Sequence, residues 1–498
     1  MKNSNSKTYR FYEILPGLFA WTLILFPLWG SFFVPKVVAY FIIGFLIFWF
    51  YQSFKNAFLG ITGFYKIKTA QKINWQKKYY QEKKANWLDW QKIKHIVIIP
   101  NYNESVEKIS TSLEVLAKQE NIEKKQLIVI LAMEERAKDA RNKAKILLEK
   151  YKKAFGKIKA TFHPPNIIGE IKGKASNEAW AAKWVKKNLV DKLNWQINHL
   201  TITACDADAQ IHPLYFSALT YYFCKDKNRY LKFWQSPILW YNNLDRVPSL
   251  IRIVGVLSNI IYISHLQDFD GMSFNYSTYS LSFKLLNDVG YWDTDIIPED
   301  WHIFLQAFFA KKGKTIVEPI FLPTSIDAPE GKTYFEALKN RYFQCQRHAW
   351  GATDIPYAIT QAKNHPEIPW RIKILRIYKI LETHLVWSTN WFILTLGALL
   401  PTIVNPKFMQ TSLGYNLPKF AQTILTICLL AMFTIIILDL KLRPNKIKTR
   451  SIKNQIIELI QWILMPVATL LMSVLPGLDA QTRLMFGRRI EYKVTKKY

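Results

Sequence analysis

Two apolar runs near the start of the chain limit what it can become. Residues 14–33 (ILPGLFAWTLILFPLWGSFF) and 37–51 (VVAYFIIGFLIFWFY) contain no Asp, Glu, Lys or Arg and are parted only by Val34, Pro35 and Lys36. A helix needs about 20 apolar residues to cross a bilayer, where backbone groups must bond within the helix. The pair predicts a transmembrane helical hairpin over 1–52. A cleaved signal peptide fits poorly, because no small-residue cleavage site ends the first run and a second run follows at once. Two further spans are expected at about 384–404 and 420–440. The last apolar stretch, 456–475, holds Glu458 and Pro466 with Pro476 just beyond. It reads as a re-entrant broken helix or a third span.

Charge supplies the orientation. Lys+Arg total 67 against 37 Asp+Glu, a formal +30. Lys2, Lys7 and Arg10 precede the hairpin, and Lys55, Lys66 and Lys68 follow it. Residues 441–455 (KLRPNKIKTRSIKNQ) are basic without an acid, and the tail 488–498 is basic too. Basic flanks belong on the cytoplasmic side, so a multi-pass protein of the cell membrane with a cytoplasmic soluble region is expected. Much of the excess charge is then a topology signal that also suits anionic membrane lipids. No zinc-finger spacing or arginine-rich helix accompanies it, and no nucleic acid partner is expected. Cys205, Cys224, Cys345 and Cys428 are far apart and read as core thiols. The spans are nearly bare of ionisable groups, which argues against a transporter. Residues 53–72 and 370–384 pair Lys/Arg with large apolar residues at helical spacing, as helices lying on a bilayer do.

The soluble region alternates in period. HIVIIP (95–100), QLIVILAM (126–133), IKATFHP (158–164) and HLTITACDAD (199–208) read as strands. Helical patterns lie between them at 105–119, with Ser105 as N-cap, at about 136–154 and at 174–189. Strand and helix in alternation predict an α/β domain with a mostly parallel sheet. Ligands of such sheets bind beyond the carboxyl ends of the strands, where NYNE (101–104), Glu134-Glu135 and Asp206-Ala207-Asp208 fall.

In an extended segment residues i and i+2 face one way, so Asp206 and Asp208 could approach one cation. Oxygen-only ligands suit Mg2+ or Mn2+, which bind phosphate oxygens in turn. Lys172 and Lys174, either side of Gly173, could add positive charge for a diphosphate. A further carboxylate pair, Glu299-Asp300, opens a helical pattern after Pro298, where an N-cap is the ordinary use of a carboxylate. RYFQCQRHAWG (341–351) combines Gln344, Arg347, His348 and Trp350, which could bind a diphosphate and stack on a sugar.

In this order the residues resemble the membrane-integrated glycosyltransferases of family 2, among them cellulose, chitin and hyaluronan synthases and the ceramide glucosyltransferase type. The resemblance covers about 95–355 and the membrane segments on both sides. It implies a cytosolic GT-A domain, Rossmann-like with a mostly parallel sheet, flanked by transmembrane helices. It implies inverting transfer of a sugar from a UDP- or GDP-sugar to a lipid or glycan acceptor. Pro100, Tyr102 and Glu104 fall where the family holds the nucleoside, and Lys174 lies in its lysine-containing stretch. Asp206 and Asp208 match the D-x-D that binds metal and diphosphate. Asp300 matches the catalytic base, and Gln344, Arg347 and His348 fall on Q-x-x-R-W. Glu299, Trp301 and Trp350 border this set as acceptor-site candidates. Three positions depart from the pattern. Glu134 or Glu135 stands for the usual Asp after the second strand, His348 replaces the motif Trp, and Pro298 replaces a Thr.

The expected organisation is the hairpin 1–52, an interfacial linker 53–90, the catalytic domain 91–369, an interfacial helix 370–383 and a membrane region 384–498. Two rivals use the same features. A metal-dependent phosphosugar transferase to a lipid carrier also needs paired aspartates, and a non-enzymatic basic membrane protein could bind anionic lipids or nucleic acid. Residues 235–245 and 275–286, rich in hydroxyl and aromatic groups, are expected near the acceptor path.

Overall fold

The computed structural model describes residues 7–268, 271–444 and 452–491. The basic stretch 445–451 and the tail beyond 491 lie outside the described residues, so the charge argument there rests on sequence.

Ten strands form the domain: β1 (Lys94–Asn101), β2 (Leu127–Glu134), β3 (Lys157–His163), β4 (Leu200–Ala204), β5 (Gln210–Ile211), β6 (Lys232–Gln235), β7 (Ile238–Leu239), β8 (Tyr279–Ser282), β9 (Ile316–Pro319) and β10 (Thr324–Ser325). Seven make one sheet in the order β3-β2-β1-β4-β8-β6-β9, and β5-β10-β7 make a small second sheet. The pairs β1–β2, β1–β4, β2–β3 and β6–β9 are parallel, while β8 runs antiparallel to both neighbours. The fold class expected from alternation is the one observed, an α/β domain with a mostly parallel sheet and apolar helices at both ends. β2 is buried at every position, as a strand covered on both faces must be. Ile96 and Ile98 face one core layer with Ala175, Ala179 and Ala182 of helix Lys174–Val185. Val97 and Ile99 face the other with Ile109 and Leu113 of helix Val106–Ala117. Ser105 caps that second helix by accepting from the Lys108 N–H.

The 199–208 stretch is shorter as a strand than its apolar run suggests. β4 ends at Ala204, and residues 206–209 turn back, with the Ala209 N–H donating to the Asp206 carbonyl at 2.9 Å. The two-residue alternation that would aim Asp206 and Asp208 alike stops there.

Among the described residues, four helical runs are long and apolar enough to cross a membrane: Lys7–Phe33, Pro35–Ala70, Ser412–Leu442 and Ile456–Met485. Helix Pro35–Ala70 carries the second apolar run straight through the basic 53–70 segment. Likewise residues 370–396 form one helix, with no break between the amphipathic half and the apolar half. Neither Gly nor Pro stands near 383 to interrupt it. The expected span 384–404 instead breaks after Leu396, ahead of Pro401 in the short helix Leu400–Val404. The run 456–485 is broken as its prolines predict, with a tight 3-10 turn over Gln461–Leu464 and a new helix at Met465–Thr469. Glu458, the acid inside it, is buried against Arg443 at 2.6 Å and Arg252 at 3.8 Å.

Candidate active site

The carboxyl ends of β1, β2 and β4 open on one side of the sheet, and the polar groups gather there. Lys174, the first residue of its helix, is at the centre. Its Nζ lies 2.8 Å from Asp206 Oδ1, 2.6 Å from Glu299 Oε1 and 3.9 Å from Glu178 Oε1, and it donates to the Ser277 carbonyl at 3.1 Å. Burial opposes the ammonium, but Asp206, Glu299 and Glu178 outweigh it and hold its pKa well above the usual lysine value.

Ser277 joins the two aspartates singled out by sequence. Its Oγ donates to Asp206 Oδ2 at 2.6 Å and its backbone N–H donates to Asp300 Oδ2 at 3.2 Å. The residue sits at φ 58°, a left-handed conformation that a non-glycine holds only when its surroundings enforce it. Asp300 Oδ1 accepts from the Trp301 N–H at 2.9 Å within the first turn, while the N-cap position falls on Pro298, so Asp300 is not the cap its place in the sequence suggested. Burial first, and the Glu299 charge second, push Asp300 up to about 7. A carboxyl poised there exchanges a proton near neutral pH.

Glu178 is the site residue that sequence reasoning passed over. It is wholly buried, neither carboxyl oxygen has a hydrogen-bond partner among the described residues, and burial raises its pKa well above the usual value. Its signal was present, since Lys174 and Glu178 are four apart and share a helix face. No comparable pattern marks Ser277.

Asp208 lies two residues on, in the same turn. It is buried, Oδ2 accepts from the Asp327 N–H at 2.8 Å, and its carbonyl accepts from Asn242 at 2.9 Å. Lys108 holds Asp327 at 2.5 Å, and a polar cavity of about 190 Å³ lies between these groups. Asp206 and Asp208 thus engage different partners, as the turn after β4 dictates. Their oxygen-only chemistry fits a hard divalent cation with ligands left over for phosphate or water. Among the described residues no three His, Cys, Asp or Glu side chains converge as a metal cage.

A second group lies at the ends of β1 and β2. Pro100 is near the end of β1, and Glu104 folds back to accept from Asn101 Nδ2 and the Tyr102 N–H, both at 2.9 Å. The Arg136 guanidinium stacks 4.2 Å over the Tyr102 ring and donates to Glu134 at 3.1 Å. Glu134 is buried, while Glu135 turns outward to Arg141. His163 lies 3.6 Å from Glu134 and 2.9 Å from Glu170, and their charges raise its pKa despite burial.

The remaining candidates separate. Gln344 is buried and accepts from Arg341, Arg347 is half-buried, and His348 is exposed. Trp301 is half-buried, its ring stacked on Phe274 at 4.3 Å with His384 at its edge. Trp350 is not on an open acceptor surface. It packs in the main core, 6% exposed, because Gly351 and Ala352 bring the chain tightly inward after helix Tyr334–Ala349. Of the expected acceptor stretches, 275–277 borders the aspartates, whereas 279–282 is the central strand β8.

Comparison with known proteins follows the same lines. The profile of "Glycosyl transferase family group 2" matches residues 201–438. No curated protein sequence matches the chain. Among solved structures, a mannosyltransferase from Pyrobaculum calidifontis in complex with GDP-Man and Mn2+ is 12% identical, over 77% of this chain and 99% of that one, with a TM-score of 0.42. TarS 1–349 of S. aureus in complex with UDP is 13% identical, over 81% and 94%, with a TM-score of 0.35. GalNAc-T7 with UDP, GalNAc and Mn2+ is 12% identical, over 64% and 58%, with a TM-score of 0.31. The matched profile begins in β4, takes in Asp206, Asp300 and Arg347, and runs into helix Ser412–Leu442. Residues 201–438 carry a glycosyltransferase family 2 domain, and the protein is a glycosyltransferase.

Proposed function

We propose that the protein transfers a sugar, with inversion, from a UDP- or GDP-sugar to a lipid or glycan hydroxyl at the cytosolic face of the cell membrane. The observation that carries this reading is the Ser277 bridge. One residue bonds both Asp206 and Asp300, the carboxyl that burial pushes up to about 7. Asp206 and Asp208 would hold Mg2+ or Mn2+, which supplies positive charge to the nucleoside diphosphate as it leaves. Lys174 keeps a fixed positive charge beside Asp206, and Arg347 adds a second on the diphosphate. The Tyr102–Arg136–Glu134 stack receives the nucleoside, which assigns the second-strand role to Glu134 rather than Glu135. Asp300 takes the proton of the acceptor hydroxyl as its oxygen attacks the anomeric carbon from the face opposite the phosphate. The bond from that carbon to the phosphate oxygen breaks, and the nucleoside diphosphate departs with the electron pair. Glu299 and Trp301, flanking Asp300, line the acceptor's approach.

The catalytic unit spans 91–369, between the hairpin and the C-terminal membrane region. The test uses full-length protein in nanodiscs with a panel of UDP- and GDP-sugars, with and without Mn2+. Release of nucleoside diphosphate supports the reading. Release of nucleoside monophosphate assigns phosphosugar transfer instead, because that reaction breaks the diphosphate itself.

A further inference from the structure

Four arginines are buried among the described residues, and three of them meet carboxylates or backbone carbonyls. Arg443 meets Asp439 at 2.7 Å and Glu458 at 2.6 Å. Arg229 donates to the Phe223 and Cys224 carbonyls, and Arg376 to those of Met272 and Ser273. Arg341, on helix Tyr334–Ala349 and 5% exposed, is different. Its Nη1 donates to the Gln344 amide oxygen at 3.0 Å and its guanidinium lies 4.8 Å over the Trp240 ring. Its Nε is buried without a partner, and among the described residues no carboxylate pairs with it. Stacking on an indole offsets part of the desolvation of a guanidinium, but a buried charge without an anion remains unfavourable.

Its place gives the anion a role. Tyr262 is half-buried, and after burial itself the charges of Arg341 and Asp300 are among those that act on its hydroxyl. Tyr262 stacks on Tyr276 at 4.7 Å, and the next residue is Ser277, which donates to Asp300. Trp240 belongs to an apolar cluster with Ile67 and Leu438, from the membrane-capable helices Pro35–Ala70 and Ser412–Leu442. Trp240 thus ties Arg341 to the cluster of the membrane-capable helices, and Tyr262 and Tyr276 link it to the Ser277–Asp300 bond.

We propose that Arg341 is an anion subsite for the acceptor: its guanidinium receives a phosphate or carboxylate carried beside the hydroxyl that Asp300 deprotonates. The inference rests on the transferase reading and adds that the acceptor is acidic. Guanidinium pairs bidentately with such groups, and Gln344 fixes the plane in which it does so.

The test measures binding to full-length protein in phosphatidylcholine nanodiscs, with UDP and Mn2+ saturating so that the donor diphosphate cannot occupy the subsite. Glycerol 1-phosphate stands for a lipid headgroup, glucuronate for an acidic glycan, and glycerol and glucose are the neutral controls. At least one acid should bind more tightly than its neutral counterpart, and the acid that does so identifies the source. Arg341→Gln should weaken it by about tenfold or more while UDP affinity stays within about threefold, and Arg341→Lys should fall between. Should the Gln variant fail to fold, the Lys variant still carries the comparison. The proposal is overturned if neither acid is preferred, if both variants bind the acids like wild type, or if UDP binding falls instead. Absence of nucleoside diphosphate release by the wild type would count against the transferase reading, and the acid-binding result stands apart from it.

Discussion

Replacing Asp300 by Asn changes one atom of the site and removes a carboxyl that burial pushes up to about 7. Asn keeps the side-chain size and an oxygen to accept from Trp301 or Ser277, so part of the local bonding is kept. General-base catalysis contributes about 10²–10⁴-fold, so kcat should drop by that factor, about 3–5 kcal/mol of barrier. Donor affinity should hold, because Asp206, Lys174 and the Tyr102–Arg136 stack are untouched. Wild-type turnover should rise with pH and level off above about 7, where Asp300 is ionised, and the variant should lack that limb. Stability gives a second readout. The folded value lies above that of a free Asp, so the wild type loses stability as pH climbs through this window, by on the order of 4 kcal/mol at full ionisation. Asp300→Asn should therefore unfold at a higher temperature than wild type in alkaline buffer and at the same temperature in acid. Nucleoside diphosphate release with saturating donor and scanning calorimetry are the assays. Turnover within about threefold of wild type, with the pH limb intact, refutes the assignment.

Other residues give sharper contrasts. Lys174→Met leaves Asp206 and Glu299 without their ammonium and should cost about 3–5 kcal/mol at neutral pH, partly recovered in acid as the carboxylates protonate; an unchanged unfolding midpoint would contradict the cluster. Glu178→Gln removes a carboxyl whose charged form burial disfavours, so calorimetry and turnover should change little, and a large loss would mean its charge is used. Trp350→Ala should lower stability by about 3–5 kcal/mol as a core deletion, whereas Trp301→Ala should chiefly raise the acceptor KM. The reverse pattern would exchange their places.

Sequence carried the fold because its two periods are unambiguous. Buried strands such as 127–134 and helix 106–117 are written in local patterning, and the membrane runs in length and charge. The site was legible where chemistry and position coincide, at Lys174, Asp206, Glu299 and Asp300. It was illegible where a turn sets the direction. Asp208 faces Asp327 because β4 stops at Ala204, and no two-residue periodicity reports the end of a strand. Ser277 depends on a left-handed backbone that a Tyr-Ser-Thr string does not announce. Arg341 is an ordinary helical arginine until burial shows that no carboxylate meets it. Trp350 looks like a sugar platform by composition and is core by packing, a distinction only the third dimension makes.

The central claim is that one side-chain cluster, held together by Lys174 and Ser277, moves a sugar off a nucleotide. The most direct measurement follows nucleotide-sugar consumption by the full-length protein in nanodiscs, comparing wild type with Asp206→Asn under Mn2+ and under chelator. The account predicts nucleoside diphosphate release from at least one UDP- or GDP-sugar, lost on chelation and restored by Mn2+, and abolished in the variant. Release that proceeds equally in Asp206→Asn, or no consumption of any UDP- or GDP-sugar, would contradict it.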